Sequence, residues 1–233
     1  TKQEENASSL CLNEEAWEFL SSGALSSLNQ EDVAAVRDGL MHARDGGGLI
    51  VNVLARDVAD AVESLRHNVE ALSLFFTDLV VVVFENDSAD GTRQLFQQWA
   101  AHTAKDDHNK YTVDLMECEE AADCLLKKNH RFDTGKKDWW ETSAIGPMAD
   151  FRNRILDHCT ANYPDFQYML ILDLDLAVSL SPLGILHSIG KSMDNNRQAV
   201  AVAASGRQIA MSSFGTLIFP YDLSAFRPAP HQF

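Results

Sequence analysis

The sequence predicts an α/β fold, a mixed and mainly parallel sheet flanked by helices, and three features predict it. Apolar runs of strand length recur at Leu49–Leu54, Leu79–Phe84, Tyr111–Met116 and Tyr168–Leu172. Stretches with apolar residues at helical spacing lie between them, and strands alternating with helices form parallel βαβ units. The run Leu79–Phe84 is almost wholly β-branched and apolar, as suits a central strand buried on both faces.

The elements follow in order. Ala16, Trp17, Phe19 and Leu20 sit near helical spacing, and a second helix is expected over Gln30–Met41. Gly46-Gly47-Gly48 breaks the pattern. Residues 1–45 therefore read as an N-terminal helical extension and 46–233 as the main domain. After the strand Leu49–Leu54, Asp57 is placed to cap a helix by accepting from a free N–H of its first turn. Val58, Val62, Leu65, Val69, Leu72 and Phe76 then form one apolar stripe down about five helical turns. Asp78 ends this helix. Thr92–Ala101 reads as the next, with Leu95, Phe96 and Trp99 inward. The polar segment Glu117–Gly146, carrying Trp139 and Trp140, reads as an insertion with no assigned element. Met148, Phe151, Ile155 and Cys159 mark a third amphipathic helix, and Leu183–Ile189 a short fourth. Ala199–Ala204 and Thr216–Phe219 are the last expected strands.

Bulk composition narrows the partners. The formal net charge of −15 repels nucleic-acid phosphates and anionic lipid, so neither is expected to bind. A phosphate-bearing substrate stays compatible, because one divalent cation inverts the field inside a cleft. No apolar run is long enough to span a bilayer. The polar start Thr1–Glu5 carries no signal-peptide pattern, and without an initiator methionine the chain is expected to be a processed segment. Cys11, Cys118, Cys124 and Cys159 contain no C-x-x-C pair, which argues against structural zinc. Four separate thiols are expected; a Cys118–Cys124 bond is the alternative in an oxidising compartment.

Chemistry-bearing residues gather where the strands end. Asp173-Leu174-Asp175 follows the run Tyr168–Leu172 directly, and open α/β sheets bind ligands beyond their strands' carboxyl ends. Two carboxylates this close raise each other's pKa unless a positive charge joins them. Mn²⁺ or Mg²⁺, held by Asp173 and Asp175, would do so, since hard cations take oxygen ligands and bridge to phosphates. Glu85-Asn86-Asp87-Ser88-Ala89-Asp90-Gly91-Thr92 follows a second strand. Glu85, where the chain leaves the sheet, is placed to accept from a ribose hydroxyl or a base N–H. Ser88–Thr92 is a turn and helix entry, with a structural role as its alternative. Arg152-Asn153-Arg154 supplies a guanidinium for phosphate or for the Asp pair.

In their order, E-N-D-S-A-D-G-T, then F-R-N-R-I-L, then L-I-L-D-L-D, the chain resembles GT-A glycosyltransferases over about Leu49 to Arg227. Phe219-Pro220-Tyr221-Asp222 with Ala225 and Arg227 is similar to the "Y-D-x-x-x-x-R" segment of fungal capsule-associated α-mannosyltransferase-like proteins. The resemblance implies a GT-A fold and transfer of a sugar from a nucleoside-diphosphate sugar of the UDP or GDP type. A hydroxyl on a glycan or glycoconjugate would be the acceptor. It also implies that Glu85, with Asn86 beside it, contacts the nucleoside, and that Ala55 and Arg56 flank the base. Arg152 would lie near the diphosphate, Asp173 would approach ribose or metal, and Asp175 would ligate the metal. The sequence departs from the pattern at Asp87, where family members carry glycine, and the chain stops soon after the last motif. Family members usually carry a further metal ligand in that region, and His231 is a candidate.

An inverting transferase needs a general base near the acceptor, and Asp222 is the late acidic residue that fits. Two other readings are weighed. A haloacid-dehalogenase-type phosphatase also places D-x-D after a strand, but Ala177 stands where it needs Thr or Val, and Lys191, Asp194 and Asp222 are isolated. A domain that binds a nucleotide sugar without turnover is the other. The compartment is left between the secretory (Golgi) lumen and the cytoplasm. Asn6-Ala7-Ser8 and Asn86-Asp87-Ser88 are both glycosylation sequons, and a glycan on Asn86 would block the expected site, which favours the cytosol.

Overall fold

The computed structural model describes Leu25, Leu28 and residues 29–105, 110–118, 145–174, 180–193, 207–212 and 215–220. Its central element is a four-stranded, all-parallel sheet of β1 (Gly48–Ala55), β2 (Leu79–Glu85), β3 (Thr112–Glu117) and β4 (Phe166–Asp173), in the order β3-β2-β1-β4. Around it lie α1 (Gln30–Arg44), α2 (Val62–Ser73), α3 (Thr92–Thr103), α4 (Ile145–Asn162) and α5 (Pro182–Met193). The fold is thus α/β of the Rossmann-like class. The four strands expected from the apolar runs all form, each one or two residues off at an end. The described main sheet is wholly parallel rather than mixed. Antiparallel pairing occurs in a separate hairpin of β5 (Arg207–Ser212) and β6 (Gly215–Pro220). Thr216–Phe219 lies in β6, and Ala199–Ala204 lies outside the described residues.

Strand side chains alternate between faces with a period of two, and the core divides accordingly. Leu49, Val51, Val53 and Ala55 of β1 and Leu79, Val81 and Val83 of β2 share one cluster. Leu65, Val69 and Leu72 of α2 join them, with Phe96 and Trp99 of α3 and Leu186 and Ile189 of α5. Ile50, Val80, Val82 and Phe84 point the other way, onto Phe151, Ile155 and Cys159 of α4. At the edge strand, Asp114 of β3 accepts from Tyr163 Oη (2.6 Å) and sits 2.7 Å from His158 Nε2, which ties β3 to the end of α4.

The helix assigned to an N-terminal extension shares the first core, for Val36, Leu40 and Ala43 of α1 belong to it. Asn29 caps α1 by accepting from the Asp32 N–H (2.9 Å). Glu31 and Asp32 in its first turn and His42 and Arg44 in its last complement the helix dipole. A close crossing then fixes α1 on α5. A Cβ on Gly39 would stand 1.8 Å from the Leu186 carbonyl oxygen, and one on Gly190 1.8 Å from that of Ala35. Only glycine lets the backbones approach this far. Asp32 beside His187 (3.0 Å) and Glu31 beside Lys191 rim the contact.

Four expectations need correction. The stripe expected to run down about five turns from Val58 to Phe76 and to end at Asp78 is α-helical only over Val62–Ser73, and Leu95, expected inward on α3, is exposed. Asp57 does not cap the helix that follows. Its φ is +50°, and the chain makes a 3₁₀ turn (Ala59–Ala61) before α2 begins. The N–H groups of Asp57, Val58 and Ala59, ahead of α2, donate to a neighbouring loop, described below. Cys118, just past β3, is not a free thiol but disulfide-bonded, while Cys159 is free and buried. With Cys159 free, the partner is Cys11 or Cys124, both outside the described residues. A disulfide of this kind persists in an oxidising compartment.

Candidate functional site

From β1 the chain steps outward to β2 and β3, then crosses back to add β4 on the far side of β1. The strand order reverses between β1 and β4, and open α/β sheets bind ligands beyond the carboxyl ends at such a switch point. Register places the residues there. Leu54 pairs with Asp173, Ala55 with Glu85, and Glu85 with Glu117. Adjacent strands are about 4.8 Å apart, so Asp173 lies one strand spacing from the end of β1 and roughly 10 Å from Glu85.

The β1–α2 and β2–α3 loops are stitched together. The Asp57 N–H donates to Ser88 Oγ (3.0 Å), the Val58 N–H to Thr92 Oγ1 (2.8 Å) and the Ala59 N–H to Asp90 Oδ2 (2.9 Å). In return Asp57 Oδ1 accepts from the Ala89 N–H (2.7 Å). Asp90 Oδ1 also accepts from the Thr92 N–H (3.0 Å) and hydroxyl (2.6 Å). The Thr92 hydroxyl, then the Ala59 amide, hold the Asp90 carboxyl below its ordinary pKa. Ser88–Thr92 therefore has the structural role raised as its alternative. Asp87 departs from glycine at a residue with φ +51°, a left-handed conformation that glycine takes freely and aspartate tolerates. Gly91, at φ +99°, stands where a Cβ is strained.

Glu85 is 0% exposed. Its Oε1 accepts from the Ser88 N–H (2.7 Å) and its Oε2 from Arg93 Nε (2.5 Å). That hydrogen bond, with the charge behind it, raises the Arg93 guanidinium above its ordinary pKa. Asn86, 2% exposed, continues the ladder by donating its N–H to the Ala55 carbonyl (3.0 Å). Its side-chain Oδ1 is buried with no hydrogen-bond partner among the described residues. Its burial also leaves no room for a glycan on that sequon in the folded chain.

Ala55 ends β1 and is buried, and Arg56 follows, half-buried, with Nε 3.8 Å from Asp57 Oδ2. Phe151 of α4 stacks on Phe84 of β2 at 5.1 Å, and Arg152 is the next residue along that helix. Asp173 is the last residue of β4. Asp175, Asp222 and His231 lie outside the described residues. Among the described residues, no three His, Cys, Asp or Glu side chains gather as a metal-ligand set. The register thus brings together Ala55, Arg56, Glu85, Asn86 and the end of β4; it does not place Arg152.

Arg93 was missed by sequence reasoning. A signal was present, because an arginine in a helix's first turn opposes the dipole and needs a local anion to hold it. No family profile matches this chain, and no curated protein or solved structure matches it either. The fold and the edge residues define a Rossmann-like α/β domain with a polar switch point. No helix among the described residues is long and apolar enough to cross a membrane.

Proposed function

We propose that this domain is a metal-dependent glycosyltransferase of the GT-A type, moving a sugar from a UDP- or GDP-type donor to a hydroxyl of a glycan or glycoconjugate. The observation that carries the reading is the register. The strand leading into Asp173-Leu174-Asp175 lies directly beside β1 at the switch point, with the Glu85–Thr92 loop one strand beyond. In this reading Ala55 and Arg56 line the nucleoside side, and Arg152 faces the diphosphate. Asp173 and Asp175 are the acids that would hold Mn²⁺ or Mg²⁺, as hard oxygen donors that suit such a cation. When bound, the cation stabilises negative charge on the departing diphosphate. Asp222 takes the acceptor proton if the reaction inverts. Glu85, with both oxygens engaged, serves by holding the 88–92 loop.

The test is thermal unfolding with UDP or GDP, with and without Mn²⁺. Ligand at 100 times its Kd stabilises by about 2.7 kcal/mol. At roughly 2–4 °C per kcal/mol for a domain of this size, Tm rises by about 5–11 °C. Asp175→Ala should abolish the metal-dependent rise and leave the unliganded Tm unchanged. A rise that survives this substitution, or no rise with either nucleotide, sinks the proposal. Nucleotide binding with no sugar transfer or donor hydrolysis would instead favour a non-catalytic binding domain.

A further inference from the structure

We propose that Asp45-Gly46 is a site of spontaneous backbone isomerisation, where the aspartate passes through a succinimide to isoaspartate and becomes a substrate for an isoaspartyl carboxyl methyltransferase. The inference is independent of the glycosyltransferase reading.

The chemistry is open in principle to any Asp–Gly pair. The glycine nitrogen attacks the aspartate side-chain carboxyl carbon. An N–Cγ bond forms, and the amide proton leaves with a carboxyl hydroxyl as water. Water then adds back to the imide. Opening at the N–Cγ bond restores aspartate, and opening at the original peptide bond leaves isoaspartate. The main chain then runs through the aspartate side chain and is one carbon longer, and the former main-chain carboxyl is free. No oxidant or reductant takes part. The step does need a glycine nitrogen that can turn toward the carboxyl, and a carboxyl in its neutral form.

The chain holds three Asp–Gly pairs, Asp38-Gly39, Asp45-Gly46 and Asp90-Gly91, and the fold separates them. Gly39 lies inside α1, so its N–H is held in the helix ladder, and its backbone is pressed against Leu186 of α5. Asp90 accepts from the Thr92 N–H and hydroxyl through Oδ1 and from the Ala59 N–H through Oδ2. Those bonds, the Thr92 hydroxyl foremost, fix the carboxyl in place and hold it in its ionised form.

Asp45 has neither restraint. It is the exposed C-cap of α1, and its own N–H donates to the Met41 carbonyl (2.9 Å). Its carboxylate and the Gly46 N–H meet no partner among the described residues. Gly46 is exposed at φ +105°, and nothing lies within 4 Å of where its Cβ would stand. Glycine's wide conformational range then allows the rotation about the Asp45 Cα–C bond that attack requires. The product bears on the fold. Gly47, next along, is packed so closely that a Cβ would stand 2.6 Å from the His42 carbonyl oxygen and 2.6 Å from the Tyr168 ring. A longer main chain just ahead of it loosens the seat between α1 and β1.

The test ages the whole chain at physiological temperature and neutral pH, folded and in denaturant. Trypsin separates the three aspartates, because Arg37, Arg44 and Arg56 cut between them, and electron-transfer fragmentation reads isoaspartate at each. In the folded chain isoaspartate should form at Asp45 at least about tenfold faster than at Asp38 or Asp90, whose held groups must first open. In denaturant that gap should close. An isoaspartyl methyltransferase with labelled S-adenosylmethionine should methylate aged wild type. It should barely label aged Asp45→Glu, whose longer side chain closes the imide ring far more slowly. Equal rates at the three aspartates of the folded chain overturn the proposal, as does a lead for Asp38 or Asp90. So does a folded chain that forms no isoaspartate at Asp45, or methyl incorporation that survives Asp45→Glu.

Discussion

Replacing Arg93 by methionine isolates the ion pair on which the candidate site's loops depend. Glu85 is 0% exposed, and each of its oxygens has one donor, the Ser88 amide and Arg93 Nε. Removing one partner of a buried pair costs about 3–5 kcal/mol, because the other charge is left unpaired away from water. Two features lower that figure here. The Arg93 side chain is 28% exposed, so water reaches part of the vacated space, and the Ser88 amide still serves Oε1. The expected loss is therefore about 2–3 kcal/mol, a fall in Tm of roughly 4–12 °C by calorimetry or circular dichroism. The double variant Glu85→Gln with Arg93→Met keeps an oxygen for the Ser88 amide but no buried charge. It should recover at least about 1.5 kcal/mol relative to the sum of the single losses, as coupled neighbours do. Arg93→Lys should fall between, since a lysine keeps the charge without the planar fork. If Arg93→Met melts within about 1 °C of wild type, or the double variant shows no coupling, the pair does not anchor the loop as argued.

Three further outcomes are expected. Gly190→Ala should destabilise by about 1–3 kcal/mol, because its Cβ would meet the Ala35 carbonyl at 1.8 Å. Gly184→Ala on the same helix, with 3.4 Å to its nearest neighbour, should stabilise by up to about 1 kcal/mol, and thermal melts giving the reverse order would refute the close α1–α5 crossing. Asp90→Asn should cost stability at neutral pH and progressively less in acid. The Asp90 pKa is depressed in the fold, so its contribution is complete above an unfolded value of about 3.9 and is lost as pH falls through the folded one. Urea midpoints of the two proteins should converge below about pH 4, and a gap independent of pH would count against the hydrogen bonds to Thr92 and Ala59. Burial, with Asp114 nearby, pushes the Cys159 thiol up to about 11, so wild type and Cys159→Ser should label equally with a thiol reagent at neutral pH until they are unfolded.

The strands were legible because their signal is local. Val80 to Val83 are β-branched and need burial on both faces, and a parallel sheet with helices on each side is what supplies it. The middle of the expected stripe, from Val62 to Leu72, was legible for a similar reason, since the helix that covers a sheet must turn its apolar residues one way, but Val58 and Phe76, which continue its spacing, lie outside α2. Asp57 misled because capping rules assume that a helix's free N–H groups are met from its own flank. Here the chain is left-handed at Asp57, and the amides of Asp57, Val58 and Ala59, ahead of α2, are met by Ser88, Thr92 and Asp90, about thirty residues on; no local pattern carries that information. The disulfide at Cys118 is not legible from the sequence because spacing alone cannot tell a bond from two thiols.

At the carboxyl edge of the sheet, a linear reading cannot tell which of the adjacent polar residues is already committed to the fold. Glu85 and Asn86 are neighbours in a motif, and a linear reading gives the carboxylate the binding role because it is the stronger acceptor. A fully buried carboxylate is stable only where donors already surround it, so the property that made Glu85 attractive as a ligand also commits it to Arg93 and Ser88. The amide of Asn86 beside it is uncharged, so leaving its buried Oδ1 unpaired costs less than stranding the carboxylate would.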